Sequence, residues 1–346
     1  MRPRAALAAV LLVAALAPEL FAAPYAVSDT LGRTLVFQKV PERIVLAGKG
    51  TLLLVDAVYL FPGAGARVVG VGATDQGLGD FFPFIDARGK AKARLANSVG
   101  PEQVAAIAPD LVILKSYNRE KLGNALETVG VPVLYLDLES PEKFYADIAT
   151  LGALFQQADR ARMVTDWYRG RADAVARSVA GAPRPPVLVV QYSARDGQNA
   201  FTVPPAGWIQ TAIVETAGGA VAWKEAGPGD GWKKIGIEQL AAWDPRYVLI
   251  VSYQEASAAV ADRLATSATL KGIILPFPAD FHSWDQPDSR WILGLEWLAV
   301  TLHPDVFPAM DMRGEVTAFY SQLYGIDGAT IEREILPRVA GAIARK

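Results

Sequence analysis

The side chains with the most evident chemical capacity in this sequence are cations and aromatic rings that follow predicted strands. In open α/β sheets, ligands gather beyond the carboxyl ends of the strands, so side chains at those ends are well placed to line a cleft. Arg and Lys bind ligand oxygens, and aromatic rings stack on organic groups. The set predicts a site for an anionic ligand. Its members are Lys49, Lys115, Tyr117, Arg119, Tyr192, Arg195, Trp208, Trp232, His282, Trp284 and Arg290.

Some of these candidates have a plain structural alternative. Lys49 stands in the turn Gly48-Lys49-Gly50-Thr51, between a predicted strand and a predicted helix. The phosphate-loop pattern G-x-x-x-x-G-K-[ST] fails there, because Arg43 occupies the first glycine position. Lys49 therefore either faces a ligand beside the N–H groups of the turn or is a solvated lysine. The tryptophans, Trp208 among them, are either cleft or core residues.

Catalytic chemistry has little support in the composition. The chain has no cysteine, which excludes disulfides, thiolate metal sites, cysteine nucleophiles and a lipid-carrying N-terminal cysteine. With only His282 and His303, a zinc site built on several histidines is disfavoured. Neither a G-x-S-x-G elbow nor an H-E-x-x-H motif occurs. An exported hydrolase with a serine triad on one of the two histidines is the alternative to a binding protein.

The charge balance and the first residues bear on partners and location. Lys and Arg total 34 against 36 Asp and Glu, a net charge of −2, so no general affinity for nucleic acid is expected. A basic segment at 1–4 precedes an apolar run at 5–17, which is too short to cross a bilayer and matches a secretory signal. We expect a signal peptide over 1–23, and a mature protein that is periplasmic and not a lipoprotein.

One segment of the chain occurs twice. PEQVAAIAPDLVIL at 101–114 resembles IEQLAAWDPRYVLI at 237–250, with six identities in the thirteen positions from Glu102 and Glu238. Each copy has the pattern of a short helix, a proline stop at Pro109 or Pro245, and an apolar run typical of a strand covered on both faces. The repeat predicts two related α/β lobes.

The predicted boundary between the lobes lies near residue 183. Apolar residues recur at helical spacing through 158–180, which predicts one long helix between the lobes. Pro183-Arg184-Pro185-Pro186 ends it. The predicted organisation is an N-terminal lobe over 24–157, a linking helix over 158–182 and a C-terminal lobe over 183–346.

Several segments, taken in order, carry a resemblance to a known family. They are Pro41-Glu42-Arg43-Ile44-Val45, the two repeat copies, Phe201-Thr202 followed by Gly218-Gly219, and 281–290 leading into 291–304. Over nearly all of 41–325 the chain resembles the periplasmic substrate-binding proteins of ATP-driven importers for iron–siderophore complexes, cobalamin and haem. The resemblance implies two Rossmann-like lobes joined by a single long rigid helix, with a ligand cleft between them. The segment 97–100 is shorter and less aromatic than in the cobalamin-binding members, which weakens the case for a corrinoid.

The resemblance also implies a function and partners. It implies a monomer that captures an anionic metal complex, an iron–siderophore chelate foremost, and delivers it to an ABC permease with its cytoplasmic ATPase. Molybdate or tungstate, cobalamin, and haem bound through Tyr117 or Tyr192 are the alternatives; no resident cofactor or metal is expected. Glu102 and Glu238 suit the positive ends of their helices. In the family resembled, the glutamates at these positions dock into arginine pockets on the two permease subunits.

Overall fold

A computed structural model describes residues 23–195, 198–224, 229, 231–266 and 270–341 of the chain. The predicted signal peptide lies outside the described residues, apart from its last position. Within the described ranges, none of the helices combines the length and apolar character needed to span a bilayer.

The first part of the chain forms a two-stranded antiparallel ribbon, β1–β2, and a parallel sheet of five strands in the order β5-β4-β3-β6-β7. The strand order reverses at β3, which is the topological position where α/β sheets open a crevice for ligands. The elements are β1 (Tyr25–Ser28), β2 (Thr34–Phe37), β3 (Ile44–Leu46), α1 (Thr51–Val58), α2 (Ala64–Arg67), β4 (Val68–Val71), α3 (Phe82–Ile85), β5 (Ala93–Arg94), α4 (Pro101–Ala105), β6 (Leu111–Lys115), α5 (Asn124–Thr128), β7 (Val133–Leu136) and α6 (Pro141–Leu154).

One long helix follows in the chain, between the strands of the first sheet and those of the second. This helix, α7, spans Ala158–Ser178 and has 21 residues, about 31 Å at 1.5 Å per residue. It ends four residues before the predicted limit at 182. Tyr168 lies at its buried face, with its ring 4.8 Å from that of Phe144 and 5.4 Å from that of Trp291.

The remaining chain forms the second sheet, in the order β11-β9-β8-β12-β13 with β10 beside the start of β8. Strands β8, β10, β12 and β13 run parallel, β9 pairs antiparallel with β8, and β11 pairs antiparallel with β9. The elements are β8 (Pro186–Arg195), β9 (Gln198–Val203), α8 (Ile209–Thr216), β10 (Ala220–Val221), β11 (Lys233–Ile235), α9 (Ile237–Ala242), β12 (Tyr247–Val251), α10 (Ser257–Ala265), β13 (Ile273–Pro276), α11 (Trp291–Leu302), α12 (Met312–Tyr324) and α13 (Gly328–Thr330).

The sequence repeat occupies the same place in both sheets. Helix α4 leads into β6, which lies between β3 and β7, and helix α9 leads into β12, which lies between β8 and β13. Both strands are buried along their whole length. The residue before each proline, Ala108 or Asp244, takes a left-handed conformation, with φ of 51° and 44°. The prediction of an α/β fold with two related halves is confirmed.

A buried irregular segment connects the second sheet to α11. Every residue of 281–290 is buried, although the segment forms no regular helix or strand. Irregular chain is usually at the surface, because its backbone groups need hydrogen-bond partners. Here polar side chains of the segment bond to both halves of the molecule, as described below.

Candidate functional site

Three exposed candidates lie beyond the carboxyl ends of β3 and β6. Lys49, Tyr117 and Arg119 are exposed, and the Tyr117 hydroxyl donates to the carbonyl oxygen of Lys49 at 3.2 Å. The amide of Asn118 clamps the same turn, donating to Lys49 O at 2.9 Å and accepting from Lys49 N at 3.2 Å. Gly50 has a φ of 78°, and a Cβ there would collide with the Tyr117 hydroxyl. The turn and the tyrosine are therefore fitted to each other.

Lys115 differs from the expectation of a free cation in the cleft. Its side chain is fully buried, its ammonium lies 2.8 Å from Glu139 Oε1, and it donates to the carbonyl oxygen of Asp137. The Tyr117 ring lies 5.7 Å from the ammonium. Because the charge of Lys115 is already compensated, Lys115 holds the segment after β7 in place instead of offering its ammonium to a ligand.

A row of three aromatic rings lies in the second half of the molecule. The Trp208 and Trp232 rings are 6.1 Å apart at 85°, and the Trp232 and Tyr253 rings are 6.4 Å apart at 74°. All three side chains are half-buried, so the row keeps part of its surface open. We call Trp208, Trp232 and Tyr253 the aromatic row.

Tyr253 is absent from the sequence candidates, although a signal for it existed. The register that aligns Glu102 with Glu238 also aligns Tyr117 with Tyr253, one position beyond a shared serine. Each tyrosine therefore lies shortly after the strand of its own repeat copy, β6 or β12. Continuing the repeat comparison past the strands would have found it.

Glu139 links the two tyrosines. Its carboxylate pairs with Lys115, and its carbonyl oxygen accepts from the N–H of Ile209, the first residue of α8, at 2.7 Å. Although the Tyr117 side chain is 47% exposed overall, its hydroxyl is packed against the turn at Lys49, and this desolvation, followed by the Glu139 carboxylate, raises the pKa of Tyr117. Burial, then Asp285, then Glu139 raise the pKa of Tyr253 well above its usual value. Both phenols are neutral at physiological pH, so they act as hydrogen-bond donors and stacking surfaces.

Arg290 is the centre of a buried ion network, which corrects its assignment to the ligand cleft. The side chain is fully buried and contacts the carboxylates of Asp56, Asp280 at 2.8 Å and Asp288 at 3.2 Å. Its guanidinium also lies 4.5 Å from the centre of the Phe81 ring. Asp56 belongs to α1, so the network joins the two halves of the molecule and has no surface left for a ligand.

His282 and Trp284 belong to the same network. His282 Nδ1 lies 3.1 Å from Asp56 Oδ2, and its Nε2 lies 3.1 Å from the carbonyl oxygen of Thr74. Trp284 is fully buried and donates from Nε1 to Asp280 at 3.1 Å. Neither side chain reaches a cleft in this structure, so both are corrected from ligand contacts to structural residues.

Three ligand-type side chains of the network approach one another closely. Atoms of Asp56, His282 and Asp288 lie within 4.8 Å, a spacing that a metal ion bridges elsewhere. In this structure, however, the guanidinium of Arg290 bonds to both carboxylates and lies 3.2 Å from His282 Nδ1. The Arg290 guanidinium therefore already supplies positive charge between these carboxylates.

The protonation of His282 leads to a testable pH dependence. Burial lowers the pKa of His282, and so does the Arg290 guanidinium, but the Asp56 and Asp288 carboxylates together outweigh both and the pKa rises to about 9, from 6.5. A raised pKa in the folded state means that the contribution to stability is complete below pH 6.5 and is lost as the pH rises through 9. We expect the free energy of unfolding to fall across this window by at most about 3 kcal/mol.

His282→Gln should be less stable than the natural protein at pH 6 and should show a flatter profile from pH 6.5 to 9. Urea unfolding at a series of pH values measures both quantities. His303→Gln, which changes the other histidine of the chain, is the matched control and should keep the slope. A natural protein with constant stability across the window would contradict the assignment.

Tyr192, Glu102 and Glu238 lie in β8, α4 and α9, outside the segments that carry the aromatic row. Tyr192 is buried in β8, 5.7 Å from the Phe201 ring, with the Arg263 guanidinium 5.5 Å from its own ring centre. The side chain of Arg195 lies outside the described residues. Glu102 and Glu238 are both exposed in the first turns of α4 and α9, at equivalent places in the two halves.

The fold points to one class, the two-lobed solute-binding proteins, and the sequence agrees. The family model described as "Periplasmic binding protein" matches residues 49–274. The chain therefore belongs to the periplasmic binding protein family. Within the family, the chain is similar to the vitamin B12-binding protein of Salmonella typhimurium, 24% identical over 150 residues, which are 43% of this chain and 54% of the relative. The chain thus matches about half the length of that curated relative.

Solved structures share the fold across most of the chain. A periplasmic solute binding protein from Veillonella parvula has 19% identity, a TM-score of 0.69, and coverage of 91% of this chain and 97% of its own. The Helicobacter pylori protein CeuE has 16% identity, a TM-score of 0.71, and coverage of 90% and 99%. The Haemophilus influenzae protein MolA, solved with molybdate, has 16% identity, a TM-score of 0.70, and coverage of 87% and 98%. At these identities the likeness concerns the fold.

Proposed function

We propose that this chain is the periplasmic substrate-binding protein of an ABC importer and that it captures a metal complex with an organic chelator, foremost a ferric siderophore. The observation that supports this proposal best is the aromatic row, whose Tyr253, like Tyr117, is close enough to Glu139 for that carboxylate to raise its pKa. Three half-buried rings in contact form a surface suited to the organic body of a ligand. The proposal includes export by the predicted signal peptide.

The distribution of charge favours a chelate of modest negative charge over a bare oxyanion. A small oxyanion is best held by backbone N–H groups and concentrated positive charge. Here Lys115 is neutralised by Glu139, and Arg290 by three carboxylates. Among the candidate cations, Lys49 and Arg119 are exposed beside the cleft, and they are available for ligand oxygens. Molybdate or tungstate, haem and cobalamin are the competing ligands.

The similar proteins include binders of several of these competing ligands. The solved structure of MolA contains molybdate, CeuE was solved as a nickel–histidine complex, and the curated relative is a vitamin B12-binding protein. Haem bound through a tyrosinate would require Tyr117 to lose its proton, which the raised pKa of Tyr117 disfavours. The ferric chelate remains our first choice because it uses both the rings and the two exposed cations.

Native mass spectrometry with metal analysis of protein taken from its own periplasm would test the proposal. It should show a bound iron complex with an organic chelator. In parallel, the purified protein is titrated with a ferric trihydroxamate, a ferric catecholate, hemin, cyanocobalamin and molybdate, followed by tryptophan fluorescence. Binding of molybdate alone would overturn the chelate proposal, and a Soret band with hemin would favour haem. Absence of esterase and phosphatase turnover would dispose of the hydrolase alternative.

Trp232→Ala should weaken binding of the recognised chelate about tenfold, since a lost ring contact is worth about 1.4 kcal/mol. Calorimetric titration measures the dissociation constant. Trp167→Ala removes another half-buried tryptophan, on α7, and is the matched control with unchanged affinity. Equal affinities in all three proteins would show that the aromatic row does not line the cleft.

Delivery is the second part of the proposal. Glu102 and Glu238 are exposed acids at matching positions of the two halves, so they present two like charges to a transporter with twofold symmetry. We propose that they dock on the permease.

A further inference from the structure

We propose that Asp285 is the positioning residue of the ligand cleft, because its buried carboxylate fixes both ends of the aromatic row. The inference rests on the proposed function, in which that row lines the cleft. Asp285 itself is fully buried. It acts through the side chains that it holds.

At one end of the row, Asp285 fixes Tyr253 directly. The Tyr253 hydroxyl donates to Asp285 Oδ2 at 2.8 Å. A tyrosine ring at the mouth of a cleft is free to change rotamer unless its hydroxyl is held, and this bond limits that freedom. The orientation of the ring against Trp232 therefore depends on the carboxylate.

At the other end, Asp285 fixes Trp208 through helix α8. Gln210 donates from Nε2 to the same oxygen, Asp285 Oδ2, at 3.2 Å. Trp208 is the N-cap residue of α8, two positions before Gln210. The bond therefore anchors the start of the helix that carries the first ring of the row, and a single carboxylate oxygen holds both ends.

The carboxylate is in turn held rigidly and tied to the first half of the molecule. The hydroxyl of Ser283 donates to Asp285 Oδ1 at 2.6 Å. The next residue, Gln286, exchanges two amide hydrogen bonds with Gln76, at 3.1 and 2.9 Å. Asp285 thus couples the position of the aromatic row in the second lobe to the position of Gln76 in the first lobe.

The protein keeps a carboxylate at this point although burial opposes its charge. Burial raises the pKa of Asp285 to about 6, against the bonds from Ser283, Tyr253 and Gln210. Those three donors are neutral, so the arrangement is not an ion pair. A site required only for packing would accept an apolar residue at lower cost, whereas a site that orients two polar side chains requires an acceptor.

The first test observes the rings without any ligand. The protein is labelled with 5-fluorotryptophan, and the fluorine resonances of Trp208 and Trp232 are assigned with Trp→Phe variants. Asp285→Ala should shift or broaden both resonances and leave that of Trp167 unchanged. Asp285→Asn should restore both, because its amide oxygen replaces Oδ2 and its amide group donates to Ser283. Unmoved Trp208 and Trp232 resonances in Asp285→Ala, or equal disturbance of Trp167, would overturn the proposal.

A second variant covers the case in which Asp285→Ala does not fold. Gln210→Leu removes only the bond between α8 and Asp285 and keeps the Tyr253 bond. It should move the Trp208 resonance more than that of Trp232. No change at Trp208 would show that α8 is positioned by other contacts, and the proposal would fail.

The binding arm separates this inference from the proposed function. With a ferric trihydroxamate as the probe, Asp285→Ala should lose at least about tenfold in affinity, Tyr253→Phe should lose less, and the double variant should match Asp285→Ala. Additive losses of affinity in the double variant would contradict action through Tyr253. An unchanged affinity in a variant whose ring resonances are displaced would contradict the role of Asp285 in positioning the cleft. If no chelate binds the natural protein, the proposed function fails, while the fluorine spectra still decide the role of Asp285.

Discussion

Replacing Arg290 by methionine is expected to destabilise the protein by about 3–5 kcal/mol, or to prevent its accumulation altogether. Arg290 has no exposed surface and contacts Asp56, Asp280 and Asp288. Methionine fills much of the volume but leaves three buried carboxylates beside a single remaining cation, His282. Removing one partner of a buried ion network is costly because the other charges stay out of water without compensation.

Urea unfolding measures the loss. Arg313→Met is the matched control, since Arg313 forms an exposed ion pair at 3.0 Å with Glu332, and we expect its variant to stay within about 1 kcal/mol of the natural protein. A loss below about 1 kcal/mol in Arg290→Met would mean that the network contributes little and that Arg290 is available for another role. The same experiment therefore decides between the structural role and the ligand role for this arginine.

The largest functional effect is expected from changing Glu102 and Glu238 together to alanine: uptake of the ligand through the importer is largely lost while affinity for the ligand is nearly unchanged. Both side chains are exposed in short helices, at equivalent places of the repeat. Complementing the helix dipole is worth only about 0.3–1 kcal/mol and would be served equally by aspartate. The proposed docking on a symmetric permease, by contrast, would require the same residue in both copies.

The experiment measures uptake in cells and affinity in solution separately. Glu120→Ala with Asp262→Ala removes one exposed acid from each half and is the matched control, with uptake retained. Charge reversal of the permease arginines should partly restore uptake by the variants with lysine at both positions. Normal uptake by the double alanine variant would show that the two glutamates only stabilise their helices.

The fold class can be predicted from local sequence patterns that occur along the whole chain. The repeat around Glu102 and Glu238 contains a helix start, a proline and an apolar strand in each copy, and both copies became the predicted elements. The long helix was predicted from residue 158, where it begins, because apolar spacing along a helix is a local property. These features need no knowledge of distant residues.

The composition of the cleft required the tertiary structure. Lys115 ends β6, yet its charge is compensated by Glu139 after the next strand, and Arg290 is compensated by Asp280 and Asp288 nearby and by Asp56, 234 positions away in the sequence. Whether a cation is free depends on which carboxylate the fold brings to it. Burial of His282 and Trp284 was hidden for the same reason, because an irregular segment rich in polar residues resembles a surface loop until its partners are known.

Tyr253 shows where the two kinds of information meet. The sequence alone shows that Tyr253 is equivalent to Tyr117, because the alignment of the two repeat copies extends to both residues. The sequence does not show that Tyr253 contacts Trp232 and Asp285, because Asp285 lies in a segment without periodicity. Apolar patterning along the chain therefore determined the lobes, whereas long-range pairing of charges and hydrogen bonds decided which side chains are left for a ligand.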